Sequence, residues 1–171
     1  MHHRGVTNDK SGRGNDLRLL VCGAGSAIHI GDLVREAVKR GWDVDITATA
    51  AALTLIDAGE LQKLSGRPLR TTYEYAPDGT RISPKADALI VAPATFNTVN
   101  KLALGVADTY PLSSVAEVIG RRVPTVIVPS VNAALASRRP YQRAVRALQE
   151  EDVVFAGDGL EALEKLPILR R

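Results

Sequence analysis

A three-layer, doubly wound α/β sheet is the fold this sequence predicts. Stretches of strand character alternate with stretches of helix character from residue 17 onward. Ala88, Leu89, Ile90 and Val91, and again Thr125, Val126, Ile127 and Val128, are unbroken apolar or β-branched runs, the pattern of strands buried on both faces of a parallel sheet. The 171 residues, 45% of them hydrophobic, are enough for one substantial core and short for two.

Taken in order, residues 17–22 read as a buried strand, 23–26 as a glycine-rich turn and 28–40 as a helix closed near Gly41. Residues 44–49 read as a second strand, 50–64 as a mostly helical stretch broken around Gly59, and 70–75 as a third, partly exposed strand. A turn follows at Pro77, Asp78 and Gly79. The strand over 88–92 is expected to stop at Pro93, with a helix over 97–107 behind it. A helix over 111–119, a strand over 124–128, a helix over 140–150 and a last strand over 153–155 complete the series. Parallel strands joined by crossover helices bind ligands beyond their carboxyl ends, so functional groups are expected after Cys22, Ala48, Ala92 and Val128.

Residues 1–15 are polar and lack apolar periodicity, which predicts a disordered arm ahead of a single domain over 16–171. His2 and His3 fall in that arm without the further ligands a metal site needs, so no metal is expected. The absence of a secretion-type leader and of a membrane-length apolar run predicts a cytoplasmic protein without a membrane partner. A lone cysteine, Cys22, excludes an intrachain disulfide. The net charge of +3 is scattered and unaccompanied by a nucleic-acid reader motif, so nucleic acid is not the expected partner.

Behind the first strand, Gly23, Ala24, Gly25, Ser26 and Ala27 are small enough to let backbone N–H groups approach an anion at a helix start. The dinucleotide pattern of three spaced glycines is incomplete: Gly31 comes late, and no acidic residue closes the second strand to hold a ribose. Thr49, followed by Ala50, Ala51 and Ala52, offers either a hydroxyl for a phosphate oxygen or a helix cap. Asn97 and Asn132 follow the two central strands, where an amide can hold a carboxylate or a heterocycle edge without adding charge, or can cap a helix.

Ala92, Pro93, Ala94, Thr95, Phe96, Asn97 and Thr98, with Gly105 and Asp108 beyond, resemble the Pro-Ala-Ser-Ala-Asn-Thr signature and following Gly-x-x-Asp of the homo-oligomeric flavin-containing cysteine decarboxylases. Pro129, Ser130, Val131, Asn132 and Leu135 resemble that family's Pro-x-Met-Asn-x-x-Met-Trp motif, with Val131, Leu135 and Ala136 in place of the methionines and tryptophan. The resemblance runs from about residue 17 to 155 and implies a flavodoxin-like, Rossmann-like fold binding flavin mononucleotide (FMN). It implies cofactor contacts at Gly23, Ala24, Gly25, Ser26, Thr49, Pro93, Ala94, Thr95, Phe96, Asn97 and Ser130, with Asn97 and Asn132 positioning substrate. Assembly as a homotrimer, or as a dodecamer of trimers, is implied with it.

In that family oxidised flavin takes two electrons from a substrate cysteine, and the resulting thioaldehyde loses carbon dioxide to give an enethiolate. Members that go on to reduce the enethiol use a cysteine acid on a flap after the second motif, whereas Cys22 lies on the first strand. Pantothenate-pathway members are usually fused to a ligase domain, for which this chain has no room. The implied activity is therefore oxidative decarboxylation of a peptide's C-terminal cysteine to an enethiol, in peptide natural-product maturation. The alternatives are a phosphopantothenoylcysteine decarboxylase-like lyase, a flavin prenyltransferase, or a non-catalytic FMN-binding protein. The stretch matching the family's catalytic histidine is Gly79, Thr80, Arg81, Ile82 and Ser83. Two candidates for its role are Arg81, whose charge would lower a thiol pKa, and His29 at the opening of the first helix.

Overall fold

The computed structural model describes residues 14–169, so most of the expected arm, with His2 and His3, lies outside the described residues, as do Arg170 and Arg171. In chain order the elements are β1 (Asp16–Val21), α1 (Ile30–Lys39), β2 (Asp43–Ala48), α2 (Ala58–Ser65), β3 (Glu74–Tyr75) and β4 (Arg81–Ile82). There follow β5 (Ala88–Ala94), α3 (Phe96–Ala103), α4 (Tyr110–Gly120), β6 (Thr125–Pro129), α5 (Ala133–Ala136), α6 (Arg139–Glu150), β7 (Val154–Phe155) and α7 (Gly159–Glu164). Short 3-10 turns at Gly25–His29 and Ala52–Thr54 follow β1 and β2.

Five strands form one parallel sheet in the order β2-β1-β5-β6-β7, while β3 and β4 pair as a separate antiparallel hairpin. The doubly wound prediction holds because the central strands are apolar at consecutive positions and must be covered twice. Leu17, Leu19 and Val21 of β1 join Val44, Ile46, Ala88 and Ile90 in a core beneath α1, α2 and α7. Leu20, Leu89, Val91 and Ile127 form the opposite core, beneath α3, α4 and α6. In α1 the residues Ile30, Leu33, Val34 and Ala37 are buried, the i, i+3, i+4, i+7 stripe that lays a helix on a sheet. Among the described residues no helix is long and apolar enough to cross a membrane.

Several boundaries differ from the sequence expectation for identifiable reasons. Asn15, assigned to the arm, is tied down: its side chain donates to the Gly41 carbonyl and its own carbonyl accepts from Asp43 N–H, both at 2.9 Å. The break in the stretch 50–64 falls ahead of Gly59, because Asp57 caps α2 by accepting from Glu60 N–H. Only Glu74–Tyr75 of the stretch 70–75 is strand; Arg70 makes a single bridge beside Thr47 and its guanidinium is drawn to Asp45 and Glu74. The strand at β5 runs on through Pro93 to Ala94, which pairs with Pro129 across a register shift. Proline is tolerated at such an irregular strand end, where its missing N–H breaks no ladder. Helix α3 stops at Ala103 rather than 107, since Gly105 takes φ +71° and its N–H returns to the Leu102 carbonyl. Helices α5 and α7, four and six residues long, are too short to show an apolar period in sequence.

Candidate functional site

Strands β1 and β5 are neighbours, yet the chain leaves β1 toward β2 and leaves β5 toward β6. This reversal opens a crevice at their carboxyl ends, the place where doubly wound sheets hold ligands. Loops after β1, β5 and β6 are stitched across it. Cys22 N–H donates to the Pro93 carbonyl at 3.1 Å and Ser130 N–H to the Ala94 carbonyl at 2.8 Å. Ser26 Oγ meets Ser130 Oγ at 3.2 Å. The loop after β2 joins them through Thr49 N–H, which donates to the Val21 carbonyl at 3.0 Å. A cavity of about 550 Å³ lies among the loops after β1, β5, β6 and β7, with Ser26, His29, Pro93 and Ser130 on its wall; Gly23, Gly25, Thr49 and Asn97 are not among its lining residues.

In the first loop the requirement for glycine is specific to Gly23: a Cβ there would lie 2.4 Å from the Ala51 Cβ and 3.0 Å from its carbonyl carbon. The backbone N–H groups of Gly23, Gly25 and Ser26 donate to no group among the described residues, whereas Ala24 N–H is used by the Cys22 carbonyl. Thr49 Oγ1 accepts from Ala52 N–H at 3.2 Å just ahead of the 3-10 turn, whose capping position is Ala51, and its hydroxyl proton is left over.

The two asparagines have divided. Thr95, not Asn97, caps α3: its hydroxyl accepts from Thr98 N–H at 3.2 Å. Asn97 therefore stands exposed in the first turn with an amide that bonds nothing among the described residues. Asn132 is itself the cap of α5, accepting from Leu135 N–H at 2.9 Å, and keeps only its amide donor free. Phe96 is half-buried and stacks on Tyr141 of α6, ring centroids 5.7 Å apart, so its ring locks the α3 start against a neighbouring helix.

Arg81 is not brought to this crevice within the chain. It is held by Glu117, which also takes Arg121, near the end of α4 that lies at the amino pole of the sheet. Burial works to raise the Glu117 carboxyl, but hydrogen bonds from Arg81 and Arg121 outweigh it and leave the group below its ordinary value. Cys22 is buried beneath α3, where Thr98 Oγ1 donates to its sulfur at 3.3 Å, and desolvation pushes its thiol up despite that bond. Lys101 and Asp108 pair at 2.8 Å and pin the segment that follows Gly105.

Sequence reasoning missed the contribution of the β7–α7 loop and of α1: Gly157, Asp158, Leu160, Asp32 and Leu33 also line the cavity. The signal was present. Asp158 and Glu161 make a reciprocal cap, Asp158 accepting from Glu161 N–H at 2.8 Å and Glu161 from Gly157 N–H at 2.6 Å, and that spacing is readable as a helix start.

A family model described as Flavoprotein matches residues 6–167. The chain belongs to the flavoprotein family. Its curated relatives include the coenzyme A biosynthesis bifunctional protein CoaBC of Thermococcus kodakarensis, 25% identical over 146 residues, 83% of this chain and 36% of that protein. The probable phosphopantothenoylcysteine decarboxylase of Streptococcus mutans is 33% identical over 119 residues, 67% of this flavoprotein and 66% of the relative. The flavoprotein thus spans about a third of the CoaBC protein and about two thirds of the Streptococcus one. Among solved structures, the FMN-dependent cysteine decarboxylase SpaF superposes with a TM-score of 0.68 at 29% identity, covering 85% of this chain and 86% of that one. The doubly wound fold is shared. Cavity volume, the three unpartnered N–H groups and the unpartnered Asn97 amide all suit a flavin, whose phosphate needs donors and whose ring edge needs amide partners.

Proposed function

We propose that this flavoprotein is an FMN-dependent cysteine decarboxylase acting on the C-terminal cysteine of a peptide, which it converts to an enethiol in the maturation of a peptide natural product. The observation that carries this reading is the freeing of Asn97: Thr95 takes over the helix cap, and an amide with no partner among the described residues is left in the first turn of the helix that follows β5. Similarity to a cysteine decarboxylase at 29% identity supports the reaction class.

When bound, FMN supplies the two-electron acceptor. Gly23, Gly25 and Ser26 N–H groups, with the Thr49 hydroxyl, would hold its phosphate; the chain from Pro93 through Ala94, Thr95 and Phe96 would line its ring, with Ser130 opposite. Asn97 and the free donor of Asn132 would orient the substrate carboxylate or amide. His29, on the cavity wall, is the imidazole available to take the thiol proton, while Arg81 serves as a latch on α4. A homotrimer or dodecamer and a cytoplasmic location complete the proposal. The second reading, decarboxylation of phosphopantothenoylcysteine, is favoured by the Streptococcus relative, but Cys22 is buried and ill placed to protonate an enethiolate.

The test is incubation of the purified yellow protein with short peptides ending in cysteine, following mass and flavin absorbance. Loss of carbon dioxide plus two hydrogens with bleaching is expected. Loss of carbon dioxide alone from phosphopantothenoylcysteine would select the second reading, and inertness toward both thiols would refute the enzyme.

A further inference from the structure

Helix α6 carries its charges in the reverse of the order a helix favours. The backbone dipole stabilises carboxylates in the first turn and cations in the last, as in α1 with Asp32 and Lys39 and in α2 with Glu60 and Lys63. In α6 the capping residue is Arg138, the first residue is Arg139, and Arg143 and Arg146 follow, with Glu150 and Glu151 at the far end. No acidic residue lies in its first turn and no basic one in its last. Positions 139, 143 and 146 fall on one face, where like charges three and four residues apart repel.

All four arginines are exposed, and none forms an ion pair among the described residues. Arg35, Arg40, Arg67, Arg70, Arg81, Arg121 and Arg122 each have a carboxylate. The opposite face of α6 buries Tyr141, Ala144 and Leu148, and Tyr141 stacks on Phe96, the residue before Asn97. The arginine stripe therefore begins beside the candidate site and leads away from it.

We propose that Arg138, Arg139, Arg143 and Arg146 form a docking track for an acidic segment of the peptide substrate upstream of its reacting cysteine. This rests on the peptide reading above. Along the axis Arg139, Arg143 and Arg146 stand about 6 and 4.5 Å apart, within side-chain reach of the roughly 6.8 Å between same-side side chains of an extended chain, so alternate carboxylates of such a segment can meet these three guanidiniums, with Arg138 beside the first. Nucleic acid is disfavoured because the one aromatic ring of α6 faces the core and none is offered for base stacking.

The test uses the flavin-loaded protein and two fluorescein-labelled decapeptides ending in cysteine, one with four glutamates at alternate positions, the other with glycines there. Anisotropy should show at least tenfold tighter binding of the glutamate peptide. That gain should vanish at 300 mM salt and in the double variant R143E/R146E. In turnover the glutamate peptide should lower KM with kcat unchanged, and the variant should lose that advantage while processing the glycine peptide normally. Equal binding of the two peptides, an unaffected variant, tighter binding of a single-stranded oligonucleotide, or an altered sedimentation of the variant would each overturn the track. Failure of both peptides to bleach the flavin would refute the decarboxylase reading and leave the anisotropy comparison to decide the track on its own.

Discussion

Replacing Gly23 by alanine should damage this protein where the same change at Gly25 does not, although both glycines sit in one short turn. At Gly23 the new Cβ would stand 2.4 Å from the Ala51 Cβ, 3.0 Å from the Ala51 carbonyl carbon and 3.2 Å from its Cα; at Gly25 nothing lies within 4 Å. Carbon atoms rest about 3.5–4.0 Å apart, so the loops after β1 and β2 must part by roughly 1 Å or more, and part of the obstruction is backbone. Overpacking of this kind costs about 1–3 kcal/mol. At about 2–4 °C per kcal/mol for a domain of this size, the melting temperature should fall by roughly 2–12 °C.

The same two loops carry the donors assigned to the flavin phosphate. Loss of one charge-assisted hydrogen bond, about 1.5–3 kcal/mol, should weaken FMN by roughly 10- to 150-fold. Differential scanning fluorimetry of the apoprotein and quenching of FMN fluorescence measure the two quantities. Ala51→Gly in the G23A background should restore part of each, because it removes the worst contact and leaves the backbone ones. If G23A matches G25A in both melting temperature and FMN affinity, the close approach of the loops has no part in the site.

Asn97→Ala should leave the melting temperature unchanged while cutting turnover about 100-fold, the cost of removing one positioned donor; Thr95→Ala should instead lose about 0.5–2 kcal/mol of stability through the α3 cap, read by urea unfolding. Arg81→Ala should leave turnover intact and cost up to about 1 kcal/mol at pH 7. Because the Glu117 carboxyl is held below its unfolded value, that contribution is present above the unfolded pKa and lost as pH falls through the folded one, so the variant and the parent should converge in stability on the acid side. The buried Cys22 thiol is raised, so its neutral form contributes stability fully below the unfolded thiol's pKa of about 8.5 and loses it as pH climbs toward the folded value; Cys22→Ala should flatten the alkaline limb of urea midpoints measured from pH 7 to 10.5.

The strands were legible because burial on both faces leaves only one kind of residue at consecutive positions, as Leu89 through Val91 illustrate. Chain ends of elements were less legible because they are decided by single backbone angles and caps. Gly105 ends α3 by turning left-handed, a property the apolar pattern of residues 97–107 does not record. Pro93 read as a stop, yet β5 continues to Ala94, since the strand end there is already irregular. Site residues followed the same division. Ser26, Pro93 and Ser130, named from the sequence, lie on the cavity wall because topology dictates where loops converge; Asp158 and Leu160 share that wall but went unnamed, since the last strand was read at 153–155 without a functional loop being expected behind it.

Asn97 and Asn132 look alike in sequence, and their difference exposes how the fold makes a site. Each follows a central strand, and each could satisfy the free N–H groups of the helix it introduces. At α5 no hydroxyl precedes the helix in capping position, so Asn132 caps and its oxygen is spoken for. At α3 Thr95 occupies that position, and Thr98 is drawn in as well, its hydroxyl reaching the buried Cys22 sulfur. Structural demands at the α3 start are thus met entirely by residues on the core side. The exposed Asn97 between them is relieved of any structural duty, and an amide fixed in place by a helix yet bonded to nothing among the described residues is suited to hold a ligand.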